Sequence, residues 1–117
     1  MINIQKYFNP ISSNFFSAKN NWEATQIGRL IDSHVNDSFP DLKFSEIAFF
    51  NVNEFNGSEN YASEAECSIR NFLYSYHQDK FPRVSDLGYL KIMSSRKETF
   101  EAIENVCKFL LHNGTIP

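Results

Sequence analysis

Glycine is scarce in this sequence. The four that occur are Gly28, Gly57, Gly88 and Gly114. They are spaced too widely to draw a Gly-x-Gly-x-x-Gly or Gly-x-x-x-x-Gly-Lys loop, which excludes the two commonest phosphate cradles. Cysteine is scarce as well. Cys67 and Cys107 fall in separate predicted helices and read as small apolar residues of a reducing compartment. Three histidines, His34, His77 and His112, each lie near a predicted helix end. No His-x-His, His-Glu-x-x-His or Asp-x-His-x-Asp spacing joins them, so they read as exposed helix-end residues near backbone carbonyls. No Gly-x-Ser-x-Gly elbow is present. The carboxylates Glu59, Glu64 and Glu66 crowd a helix start, where they favour the helix dipole.

Long apolar runs are missing too. No stretch approaches the roughly 20 residues of a membrane span. The opening "MINIQKYFNPISSNFF" lacks the charged start and apolar run of a signal peptide, so no membrane and a cytoplasmic location are expected. Eleven Lys and Arg against fourteen Asp and Glu give a net charge of −3. The basic residues are scattered, which opposes a nucleic-acid partner.

What the sequence does have is aromatic and apolar mass: 42% apolar residues, and twelve Phe. That is too much for a disordered tail, and 117 residues suit one domain. Residues 1 to 18 read as irregular. A first helix is predicted over 20–35, with Trp22, Ile27, Leu30, Ile31 and Val35 on one face, until Pro40 breaks the pattern. "EIAFFNV" (46–52) is a strand whose apolar run does not alternate, the mark of burial on both faces. A second helix is predicted over 63–77, with Ser63 and Glu66 as a capping box and Ala65, Ile69, Phe72, Leu73 and Tyr76 on its buried face. A second strand is placed at 83–87. A third helix spans 95–112, capped by Ser95 and Glu98 and burying Phe100, Ile103, Val106, Cys107 and Leu110. Asn113-Gly114 stops it, and 115–117 open another strand. This alternation implies an α/β fold with a parallel sheet. Ligands of such sheets bind outside the carboxyl ends of the strands. Asn53, Glu54, Asn56 and Ser58 after the first strand are therefore candidates for a pocket rim, as are Asp86 and Gly88 after the second.

Four segments in this order resemble the arginase, or ureohydrolase, family. They are "SEIAFFNVNE", "AECSIRNFLY", "RVSDLGYLKI" and "VCKFLLHNGTIP". In the second, Ile69 and Arg70 match the family's Gly-Pro-x-x-Ile-Arg helix start, with Ala65 and Glu66 in place of Gly and Pro. In the third, Asp86 and Gly88 match an Asp-x-Gly-Asp strand end, and Tyr89 departs from it. The opening "INIQKYFNPI" is similar to the extension of the longer bacterial formimidoylglutamase and arginase members.

The resemblance implies the amino-terminal part of a three-layer α/β/α parallel sheet of arginase type. Residues 1–44 would be an extension with one helix, and 45–117 the start of the ureohydrolase-like domain. The family's third strand lies beside its first. Its two manganese ions and their ligands would come from later segments, beyond Pro117, so no metal ligand and no catalytic residue is expected here. The implied substrate is a guanidino or formimino compound, and the implied partner is the remainder of the parent polypeptide. Arg70 would make a structural ion pair, and a homo-oligomer stays open. The rival expectation is a non-enzymatic α/β interaction module that pairs with another chain through an open sheet edge.

Overall fold

The computed structural model describes residues 3–18, 22–52, 69–79 and 82–117. The pocket-rim candidates Asn53, Glu54, Asn56 and Ser58, and also Glu59, Glu64, Glu66 and Cys67, lie outside them.

The chain is a mixed α/β unit built around one strand. That strand, β4 (Val84–Leu90), follows β1 (Phe8–Asn9), β2 (Asp32–Ser33) and β3 (Ile47–Val52) in sequence. All three pair with it. β3 runs parallel along one edge, from Ile47 opposite Val84 to Val52 opposite Leu90. The other edge is shared. β2 pairs parallel to Ser85 and Asp86, and β1 pairs antiparallel to Tyr89 and Leu90. The sheet is therefore mixed rather than wholly parallel. The antiparallel strand comes from residues 1–18, where Phe8 and Asn9 are too short a run to give period-two alternation.

Helices cover both faces. α4 (Arg96–His112) lies on one, where Ala102, Val106 and Leu110 join Ile4, Phe8, Ala48, Leu87 and Leu90 in the larger core. α1 (Ser13–Ala18) and α3, described over residues 69–74, lie on the other. There Ile11, Phe15 and Tyr74 pack with Trp22, Phe49 and Leu73. Along β3, Ala48 and Phe50 serve the first core and Phe49 the second. This is why its apolar run does not alternate. β4 is nonetheless the more deeply buried strand.

The ends of α4 follow from its sequence. The Ser95 hydroxyl accepts from the Glu98 amide at 3.1 Å, and the Glu98 carboxylate reaches back to the Ser94 amide at 3.2 Å. At the far end the Thr115 amide donates to Leu110 O and the Gly114 amide to Leu111 O. Gly114 has φ +81°, the left-handed residue that this double stop requires. The stop turns the chain onto the free edge of β3. There Ile116 donates to Glu46 O at 2.8 Å and accepts from Ala48 at 2.9 Å, a parallel bridge to Ile47.

Three expectations are corrected. The helix over 20–35 is reduced to one turn, α2 (Ile27–Leu30), followed by β2. Gly28 and the β-branched Thr25, Ile27, Ile31 and Val35 make this a weak helix former. The sheet claims its end instead, since the His34 amide donates to Asp86 O. α3 ends at residue 74 rather than 77 and presents a different face: Ile69 and Phe72 are exposed, as is Tyr76 beyond its end, while Arg70 and Tyr74 are buried. On α4, Phe100 is exposed and Ala102 takes its place in the core.

Candidate functional site: a buried ion-paired centre on β4

Arg70 and Asp86 come from a helix and a strand, and both are closed off from solvent. Arg70 donates from Nε to Asp86 Oδ2 and from Nη2 to Asp86 Oδ1, each at 2.8 Å. Nη2 also reaches Gly88 O at 3.1 Å. This is the bidentate fork that planar guanidinium and carboxylate groups favour. The guanidinium carbon lies 4.4 Å from the centre of the Tyr89 ring, which adds a cation–π contact.

Asp86 receives two further donors. The Tyr74 hydroxyl donates to Oδ2 at 2.7 Å and the Gly88 amide to Oδ1 at 3.0 Å. Tyr74 has thereby used its only proton, so the Ser33 hydroxyl, 2.8 Å away, donates to Tyr74. β2, β4 and α3 are thus joined through one carboxylate.

The backbone of β4 makes the arrangement. Pairing with β3 slips between Phe49–Asp86 and Asn51–Tyr89, so β4 carries an extra residue there. Gly88 sits in this bulge with φ +95°, a conformation that glycine adopts at little cost. A Cβ at this position would overlap the Asn9 carbonyl oxygen. Gly88 therefore lets β1 approach while its own carbonyl turns toward Arg70.

The electrostatics are those of a lock. Burial works against the charge on Arg70, but the hydrogen bonds and charge of Asp86 outweigh it and the pKa is raised. Tyr74 is pushed far up, first by burial and then by the charge of Asp86. It stays a donor at any ordinary pH. Each oxygen of Asp86 accepts two hydrogen bonds. Arg70 Nη1 is buried and has no hydrogen-bond partner among the described residues.

Arg70 from one singled-out segment and Asp86 and Gly88 from another thus meet at one point. Tyr74 and Ser33 were not singled out. The spacing of Arg70 and Tyr74, one turn apart on α3, is the signal that pairs them. Of the histidines, His34 is buried rather than exposed, because it follows a strand and not a helix. His77 bonds Thr25 at 2.6 Å on the surface, and His112 is exposed at the end of α4. Cys107 is a half-buried free thiol. Among the described residues, no group of three or more His, Cys, Asp or Glu could hold a metal ion. No helix there is long and apolar enough to cross a membrane.

Fold and site together define a mixed α/β sheet unit whose central strand is pinned by a buried arginine–aspartate pair. No family model, curated protein or solved structure matches the chain.

Proposed function

We propose that this chain forms the opening strands of an arginase-type domain. Its parent polypeptide would hydrolyse a C–N bond of a guanidino or formimino compound with two manganese ions. The observation that carries this reading is the order of pairing on β3. β4 lies on one edge, and the segment after α4 makes an isolated parallel bridge on the other, between Ile47 and Ile116. That is the order in which the family places its second, first and third strands. The meeting of Arg70 with Asp86 and Gly88 adds support, since these are the residues on which the resemblance rests. Manganese does not fit the described residues, which contain no ligand group for it. The part assigned to this chain is architectural. It builds one flank of the sheet and holds α3 against β4.

The test is to read the gene past codon 117. The reading expects a strand, a Gly-Gly-x-His segment and later an Asp-x-His-x-Asp segment. The full product, loaded with manganese, should release urea from arginine or agmatine, or formamide from formiminoglutamate. A stop codon at that point, or a full product inert on all three, would overturn it. In the first case the free edge of β3 becomes a pairing surface, visible as concentration-dependent self-association by sedimentation.

A further inference from the structure

A second place in the molecule gathers chemistry that the ion-paired centre does not use. A cavity of about 780 Å³ opens beside the β1–β2 edge of the sheet, lined among others by Lys6, Asn9, His34, Asn36, Asp37 and Lys91. Its position is topologically favoured. β2 and β4 run parallel; His34 directly follows β2, and Lys91 directly follows β4. The cavity thus lies at the carboxyl ends of two parallel strands, where α/β sheets bind their ligands.

His34 is the informative residue. It is only 2% exposed, and its backbone is held on both sides, by Asp86 O and by the Ile11 amide. Its ring stands edge-on to Phe39, with centroids 4.9 Å apart. Nδ1 lies 2.8 Å from Leu87 O. A carbonyl can only accept, so Nδ1 carries the proton. In the neutral ring this leaves Nε2 with a lone pair. No hydrogen bond to Nε2 forms among the described residues. The ring is therefore fixed in one tautomer, and its single vacant acceptor belongs to a residue that lines the cavity.

Lys6 and Lys91 supply the opposite requirement. Both line the cavity and also a second, more apolar one beside it, and neither makes an ion pair among the described residues. Two ammonium groups against the one carboxylate of Asp37 leave a net positive lining. A ligand that satisfies both halves must be an anion and must also donate a hydrogen bond. We propose that this cavity binds a small anion bearing its own donor, a hydroxy or amino carboxylate or hydrogen phosphate. The lysines would hold the charge and His34 Nε2 would accept the donor. The inference does not depend on the hydrolase reading, and its test involves no metal.

Three probes differ in a single property. Glycolate carries a carboxylate and a hydroxyl, acetate the carboxylate alone, and inorganic phosphate the donor on a different anion. Each is titrated into protein with ¹⁵N-labelled histidine, and the His34 Nε2 resonance is followed. Glycolate, phosphate or both should move it saturably, with acetate about tenfold weaker or worse. Which of the two moves it identifies the anion. The K6M/K91M variant should weaken the response by about tenfold while leaving the unliganded His34 resonance in place, which shows that the fold survives. A His34 resonance unmoved by both glycolate and phosphate would overturn the proposal. So would a saturable glycolate response that acetate equals, or undiminished binding in the variant.

Discussion

At Asp86 four donor atoms meet two oxygens, and two of the four belong to the buried guanidinium of Arg70. Removing the carboxylate would strand a buried guanidinium. Asp86→Ala is expected to cost about 3–5 kcal/mol, the range for breaking a buried pair by removing one partner. Urea denaturation of the two proteins side by side checks it, and a loss below about 1 kcal/mol would mean that water reaches Arg70. Tyr74 adds a pH signature. Its folded pKa lies above its ordinary value of 10.0, so the unfolded chain loses the phenolic proton first. Its contribution to stability is complete below about pH 10 and falls as pH rises beyond that, by up to about 1.4 kcal/mol per pH unit. Tyr74→Phe should flatten the alkaline limb by that amount. Identical slopes in the two proteins would place the hydroxyl in solvent.

Single elements differ in how far their own sequence decides them. β3 and α4 were legible because their signals are local. In β3 it is an unbroken Ile-Ala-Phe-Phe run, and in α4 a Ser95–Glu98 box, a long period and Asn113-Gly114. The segment 20–35 misled because its helical spacing is real but weak, and the long-range bond from His34 to Asp86 outweighs it. α3 is helical as expected but is turned about its axis. Apolarity puts Ile69 and Phe72 inside, whereas the sheet offers Asp86 and so draws in Arg70. A partner that lies in another segment cannot be seen in a hydrophobic pattern. The candidate site was legible as three scattered residues, Arg70, Asp86 and Gly88. Their joining through Tyr74 and Ser33 was not. Two glycines make the same point about context. Gly114→Ala meets open space and should cost about 1 kcal/mol, for its positive φ alone. Gly88→Ala pays for φ and also strikes the Asn9 carbonyl, so β1 must leave the sheet. Hydrogen exchange reads this at Lys91, whose amide donates to Tyr7 O at 2.8 Å. Its protection should collapse in the Gly88 variant and persist in the Gly114 variant. Equal protection in both would show that β1 tolerates the added carbon.

At the scale of the whole molecule, one late strand organises the three described strands that precede it. Both cores rest on the sheet around β4, and no two of β1, β2 and β3 pair with each other. This has a consequence for the chain as it is made. Ribosomes release residues in order, at roughly 5–20 per second. Phe8 and Phe39 therefore emerge on the order of seconds before Leu87 and Leu90 exist to cover them, and Phe15 and Trp22 likewise before Tyr74. Sheets closed by such distant pairings also form slowly. The early aromatic residues of the larger core, Phe8 and Phe39, stay uncovered until residue 90 has cleared the exit tunnel. The order of the strands thus sets an interval in which those side chains have nothing of β4 to pack against.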